Sequence, residues 1–307
     1  MSSDKPRVLF ITGYSRSGST LLARVLGEID GWVAPGELRY LWRRGLVENR
    51  RCDCGERCLD CSFWHEVLMR AFGSSPPPAV DDILEVQQRV DRVFKIPALA
   101  RADGNLAAEV ATYLRYHEQL YRTIADVSGS RCIVDSSKDP SFGHILALSD
   151  EIDLSVIHLV RDSRAVAHSW TREKHDPGTG NPMAQQHPLR SALEWGIADW
   201  AARRLTRQVG SSLTLRYEDL VAEPESEVKR ILHMMGETEE PPLHGNEIRL
   251  DVGHAVSGNP MRFESGVVSI RNDDQWQEAL GRWSRLMVTA TTLSGLSTHG
   301  YLRENTP

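Results

Sequence analysis

No apolar run in the chain approaches the ~18 residues that a membrane-crossing helix needs, so no segment reads as a transmembrane helix. The opening residues Met1 to Arg7 are polar and pass straight into an apolar strand, without the extended apolar stretch of a secretory signal. These absences lead to the expectation of a cytoplasmic protein with no membrane partner. Basic residues are not in excess either: 36 Lys and Arg against 42 Asp and Glu leave a formal net charge of −6. A general nucleic-acid binder neutralises phosphates with a basic surface, so that class is excluded and any phosphate handling must be local.

Cysteine is scarce, at 5 in 307 residues, yet four of these crowd into Cys52-x-Cys54-x3-Cys58-x2-Cys61. Thiolates so close together can hold zinc tetrahedrally, which a reducing compartment favours over disulfides. The C-x-C start is tight and C-x2-C occurs once, so a loop of reduced or reversibly oxidised thiols is the alternative. No catalytic partner stands beside them in the sequence.

One missing lysine says more than the rest. Val8 to Thr12 is an apolar strand that runs through Gly13-Tyr14-Ser15-Arg16-Ser17-Gly18-Ser19-Thr20 into a helix. The spacing is that of the P-loop, G-x-x-x-x-G-K-[ST], but Ser19 stands where the lysine belongs, and the cation comes earlier, at Arg16. Backbone N–H groups of such a loop converge on a phosphate or sulfate whatever carries it. A cradle that drops the ATP lysine and adds a guanidinium suits a nucleotide without a triphosphate.

The strand-turn-helix unit recurs. Cys132–Val134 leads to a short helix after Pro140, Leu154–Val160 to a helix over Ser163–Lys174, and Ser212–Arg216 to a helix over Glu223–Met235. This alternation predicts an α/β fold with a P-loop-like, doubly wound parallel sheet flanked by helices, its ligands at the carboxyl ends of the strands. The chain, 1–307, reads as one domain with a cysteine-containing and helical insertion at about residues 50–129. A linker spans Gly73 to Pro78, and helices are expected over Val80–Lys95 and Asn105–Val127. Leu106, Val110, Tyr113, Leu114, His117, Leu120 and Tyr121 form a packing face in the second, as do Leu193, Trp195, Ile197, Trp200 and Ala201 in a helix over Leu189–Val209. His175 to Pro182 is rich in turn-formers and reads as a loop.

A second anion clamp follows the third of these strands. Arg161 falls at the sheet edge and Ser169 two turns into the helix, and a guanidinium plus a hydroxyl suits a phosphate. Asp162 reads as the helix N-cap. With R-S-G-S-T at Arg16 to Thr20 and R-D-x-x-A-V-x-x-S at Arg161 to Ser169, the chain resembles the sulfotransferases that use 3′-phosphoadenosine 5′-phosphosulfate (PAPS), especially bacterial and Golgi-type members. The resemblance runs from Val8 to about Trp276.

The resemblance implies PAPS as donor, 3′-phosphoadenosine 5′-phosphate as product, and a hydroxyl of a small molecule, glycan or natural product as acceptor. It implies that Tyr14, Ser15, Arg16, Ser17, Gly18, Ser19 and Thr20 surround the 5′-phosphosulfate, and that Arg161 and Ser169 contact the 3′-phosphate. Tyr217, in a Y-E-D-L segment, would lie by the adenosine. The R-K-G loop of cytosolic relatives is absent, and Arg262 and Arg271 are candidate replacements, with simple surface exposure as the alternative. Loops over Ser257 to Phe263 and Ser269 to Trp276 would fold over the nucleotide.

For the chemistry, Arg16 and Lys138 would offset charge on the transferring group, Lys138 lying in a K-D-P triplet similar to that of tyrosylprotein relatives. Glu37, after Pro35-Gly36 at a strand end, matches the glutamate base of bacterial and tyrosylprotein relatives; a first-turn carboxylate favoured by the helix dipole is the alternative. His144, His168, His187 and His254 are further candidates for the base. The rivals are a P-loop kinase or hydrolase, with Asp135 as its metal carboxylate, and a non-catalytic nucleotide-binding protein.

Overall fold

The computed structural model describes residues 5–302 except Pro78, Ala100, Ala102, Pro177 and Thr179. The opening Met1 to Asp4, the last residue of the expected linker, and two residues of the expected turn-rich loop therefore lie outside the described residues. Five strands, β1 (Arg7–Gly13), β2 (Trp32–Gly36), β3 (Cys132–Lys138), β4 (Asp153–Val160) and β5 (Ser211–Arg216), form one sheet in the order β2-β3-β1-β4-β5. Each neighbouring pair is parallel. The chain leaves β1 toward one edge, returns through β3, and then crosses to the other side of β1 at β4. That reversal opens a crevice at the carboxyl ends of the central strands.

The period of two decides which core each strand residue joins. Val8 and Phe10 face one side with Ile133, Val156 and Phe142. Leu9 and Ile11 face the other with Val134, Ile157, Leu215 and helix α1 (Ser19–Gly27). The strands read as unbroken apolar runs because both faces are covered.

The insertion supplies α2 (Ser62–Phe72), α3 (Val80–Val90) and α4 (Gly104–Ser128). These helices share the first core: Tyr113 and Tyr121 of α4 and Trp64 of α2 are fully buried in the cluster that holds Val8 and Phe10. The expected face of α4 is buried at Val110, Tyr113, Leu114, His117, Leu120 and Tyr121. Helix α3 ends at Val90, and a short 3-10 turn takes the chain through Val93–Lys95. After β3 come α5 (Pro140–Leu146), and after β4, α6 (Ser163–Thr171). Helix α6 stops short of Lys174 because Arg172 is extended, which swings Lys174 back toward the crevice. Among the described residues no helix is long and apolar enough to cross a membrane.

The helix α7 (Pro188–Gln208) corrects one expectation. Trp195 and Ala201 are buried, but Leu193, Ile197 and Trp200 are about half exposed. At 100° per residue these three fall on the flank away from the sheet, and the apolar spacing conceals two faces rather than one. Trp195 is 2% exposed and its indole donates to the Arg161 carbonyl at 3.1 Å. Trp195→Ala is therefore expected to cost about 3–5 kcal/mol in urea unfolding, while Leu193→Ala stays within about 0.5 kcal/mol.

Candidate active site

The crevice begins with the β1–α1 loop. Gly18 caps α1 in the left-handed region at φ 92°, and a Cβ there would lie 2.4 Å from the Tyr217 ring. Only glycine lets the tyrosine close over the loop. Two non-glycine residues at the sheet edge, Arg16 at φ 72° and Lys138 at φ 68°, also hold left-handed backbone. Such conformations cost about 1–2 kcal/mol each and persist where the surrounding structure imposes them.

The register explains the next contact. The ladder of β1 with β3 shifts between Phe10 and Thr12, so Thr12 pairs with Lys138, and that of β2 with β3 shifts between Val33 and Gly36. Such irregularities re-aim side chains. They bring Glu37 and Lys138 into direct contact, Lys138 Nζ donating to Glu37 Oε1. The other carboxylate oxygen accepts from Arg44 Nη1 and from Ser257 Oγ, each at 3.1 Å, and Arg44 also donates to Ser257 at 2.7 Å. Gly36 permits this, since its Cβ would lie 2.7 Å from the Ser257 carbonyl. Burial lowers the Lys138 ammonium below its ordinary value and Arg16 adds repulsion.

A cavity of about 310 Å³ is lined by Ser15, Arg16, Gly18, Ser19 and Thr20, by Glu37 and Lys138, and by Arg161, Ser169 and Tyr217. The structure thus brings two separated strand ends, after β1 and after β4, into one crevice. Among the described residues, five cations, Arg16, Arg44, Lys138, Arg161 and Lys174, line it against two carboxylates, Glu37 and Asp273. In a protein of net charge −6, this is a strongly local concentration of positive charge.

Aromatic faces carry much of that charge. The guanidinium of Arg16 lies 4.8 Å from the Trp170 ring centre, that of Arg44 4.0 Å from Tyr40, and that of Arg161 4.3 Å from Tyr217. Cation–π contact helps hold each guanidinium, alongside the Arg44–Glu37 bond at 3.1 Å and the Arg161–Asp273 ion pair at 3.7 Å. Arg161 makes long bonds, at 3.3 Å, to the carbonyls of Arg16 and Asp273, lies 3.7 Å from the Asp273 carboxylate, and has a buried Nε without a hydrogen-bond partner. An orphaned buried donor facing a cavity fits a phosphate. Asp162 caps α6 as expected, accepting from the Arg164 N–H at 2.8 Å.

Other candidates lie elsewhere. Arg262 is buried and donates to Asp53 and to the carbonyls of Ala255 and Arg51. Its guanidinium is committed to tying the carboxyl-terminal segment to the cysteine loop, which corrects the expectation that it holds the nucleotide. Arg271 is exposed and outside the cavity lining. Tyr14 turns away, donating to Glu194 at 2.8 Å and Gln186 at 3.0 Å, and the Ser17 hydroxyl is buried beside His158 and Trp195. Asp135 is fully buried and accepts from Tyr121 and Ser137, so it cannot serve a metal in the crevice. His144 is locked on Gln208 and the Ala201 carbonyl, and His168, His187 and His254 do not line the cavity. Cys58 stands apart from the other three cysteines, which gather around His254.

Sequence reasoning missed Arg44, Lys174 and Trp170, and named Ser257 only as the start of a loop over the nucleotide, not as a partner of Glu37. Arg44 sits on a π-helical stretch, Leu41–Val47, that follows the 3-10 turn Leu38–Tyr40. Neither the turn nor the π geometry has a sequence signature, though π stretches recur at functional sites. The loop Gly258 to Met261 does border the cavity, the Asn259 N–H donating to Thr20 Oγ1 at 3.0 Å.

Fold and crevice define a P-loop-like α/β protein with a cation-lined cleft. A model of the sulfotransferase family matches residues 6–241, and the chain belongs to that family. It is 30% identical over 200 residues to human carbohydrate sulfotransferase 2, and likewise to the mouse protein, covering 51% of this chain and 36% of each relative. The alignment therefore spans about a third of the length of those relatives. A solved sulfotransferase domain from the curacin biosynthetic pathway shares the fold, with a TM-score of 0.51, 19% identity, and coverage of 94% of this chain and 98% of that one.

The Gly18 contact yields a direct test. Gly18→Ala is expected to weaken binding of 3′-phosphoadenosine 5′-phosphate at least ~10-fold in calorimetric titration, since the methyl displaces Tyr217 and strains the loop. Unchanged affinity would show that neither the loop nor the tyrosine touches the nucleotide.

Proposed function

We propose that the chain transfers the sulfuryl group of PAPS to a hydroxyl of a glycan, small-molecule or natural-product acceptor, releasing 3′-phosphoadenosine 5′-phosphate. The observation that supports this reading is a single crevice lined both by the loop after β1 and by Arg161 and Ser169 after β4. The loop Ser15 to Thr20, with its N–H groups at the start of α1, would take the 5′-phosphosulfate, and Arg161 with Ser169 the 3′-phosphate. Tyr217, held between Gly18 and Arg161, would pack on the adenosine. The cytoplasmic location read from the sequence stays part of the proposal.

In the reaction an S–O bond forms to the acceptor oxygen as the bond from sulfur to the bridging phosphate oxygen breaks, in line. Arg16 and Lys138 offset the charge that builds on the leaving oxygen. Glu37, hydrogen-bonded by Lys138, Arg44 and Ser257, takes the acceptor proton. The acceptor would enter through the adjoining pocket of about 230 Å³, which shares Ser15, Tyr40 and Lys138 with the crevice and is otherwise lined by residues such as Tyr14, Val93, Glu194 and Ile197. The carbohydrate sulfotransferases among the relatives support a sugar hydroxyl. A P-loop kinase is disfavoured by Ser19 in place of the lysine and by the enclosed Asp135.

The hydrogen bonds around Glu37 also suit a second role, in which it aims Lys138 at the leaving group. Glu37→Gln separates the two. As base, its loss should lower kcat by about 10²–10⁴-fold and abolish the acid limb of the pH–rate profile, while affinity for 3′-phosphoadenosine 5′-phosphate stays within ~3-fold. A lower kcat with the acid limb intact would assign Glu37 to positioning, and unchanged turnover would remove it from the chemistry. Preference for ATP over 3′-phosphoadenosine 5′-phosphate in the same titration would favour a kinase.

A further inference from the structure

Three of the clustered cysteines converge on a histidine from the far end of the chain. Cys52 Sγ, Cys54 Sγ, Cys61 Sγ and His254 Nδ1 all lie within 4.8 Å of one another. His254 Nδ1 is 3.4 Å from the Cys61 sulfur and 3.9 Å from that of Cys52. A tetrahedral zinc ion with sulfur at about 2.3 Å and nitrogen at about 2.0–2.1 Å sets its ligands roughly 3.5–3.8 Å apart. The cluster already approaches those edges. Cys58, within the same sequence cluster, falls outside this group: it is fully buried, with its sulfur against Gly45.

A disulfide satisfies this arrangement poorly. Any pair among the three sulfurs would leave a third thiol and an imidazole facing the same point, whereas a single cation engages all four. The surroundings also suit thiolate ligands. Backbone N–H groups of Cys54, Glu56 and Trp64 donate to Cys52, Cys54 and Cys61 respectively. The His254 ring is stacked on Phe63, with centroids 4.9 Å apart and planes 11° apart, and its carbonyl accepts from the Trp64 indole at 2.8 Å. These contacts fix the plane of the ring and its backbone, with Nδ1 turned toward the sulfurs.

We propose that Cys52, Cys54, Cys61 and His254 Nδ1 bind one zinc ion in a closed structural site with three sulfurs and one nitrogen. The consequence lies a few residues further on. The segment after His254 is the one that reaches the crevice: the Val256 N–H donates to the Pro35 carbonyl at 3.1 Å, Ser257 to Glu37, and the Asn259 N–H to Thr20. The metal would pin this segment to the cysteine loop, reinforcing the Arg262–Asp53 bond, and so hold Ser257 against Glu37. No open coordination position remains for a substrate, so the ion takes no part in transfer.

The test uses the full chain, purified without chelators after growth with zinc, and reads metal rather than activity. Mass spectrometry should find about one zinc per chain, X-ray absorption should report three sulfurs and one nitrogen, and exchange with Co²⁺ should give the spectrum of a tetrahedral thiolate site. Cys54→Ser and His254→Ala should each lower zinc content at least ~10-fold, while Cys58→Ser keeps it and His254→Cys restores it. Chelation of the unmodified chain should speed hydrogen exchange across residues 254–262. A chain that holds no zinc and gives no tetrahedral Co²⁺ spectrum would overturn the proposal, as would equal zinc loss in a folded Cys58→Ser protein. None of these readouts depends on sulfuryl transfer.

Discussion

The crevice must hold five cations together without a matching set of carboxylates, and most of the local structure answers that constraint. Among the described residues two anionic side chains, Glu37 and Asp273, share the cavity with them. The remaining repulsion is relieved by placement: Arg16 on Trp170, Arg44 on Tyr40 and Arg161 on Tyr217. Each ring comes from a different part of the chain, so the electrostatics can be assembled only once the sheet, the π-helical stretch and α6 have packed. Among these guanidiniums the Nε of Arg161 is buried without a hydrogen-bond partner.

The sheet order places this charge. Because β4 crosses to the far side of β1, Arg161 and the loop after β1 end on the same edge, where parallel strands direct their carboxyl ends. The bulged ladders on the other side of β1 add Lys138 and Glu37. An ATP-handling relative of this topology would need a lysine near Ser19 and an accessible carboxylate for magnesium. Here the corresponding aspartate, Asp135, is spent on Tyr121 and Ser137 in the core.

What was legible in the sequence was local. The β1 loop, Asp162 as a cap, the face of α4 and the order of strands and helices all follow from patterns within a few residues, and the family model covers this part, 6–241. What was not legible depends on distant contacts. Arg262 reads as a candidate phosphate ligand until Asp53 is found beside it, and the fourth partner of the cysteine cluster, His254, lies 193 residues beyond Cys61. Cys58 fits the zinc spacing in sequence but turns into the core. Leu193, Ile197 and Trp200 share the apolar spacing of Trp195, and only the packing of α7 separates inner from outer.

The central claim is that two strand ends grip opposite ends of one adenosine nucleotide. A crystal structure of the chain with 3′-phosphoadenosine 5′-phosphate tests it most directly. The account predicts the 3′-phosphate on Arg161 and Ser169, the 5′-phosphate on the N–H groups of Ser15 to Thr20, and the base against Tyr217. A nucleotide bound with its 3′-phosphate in solvent, or in any cavity that Arg161 does not reach, would contradict it.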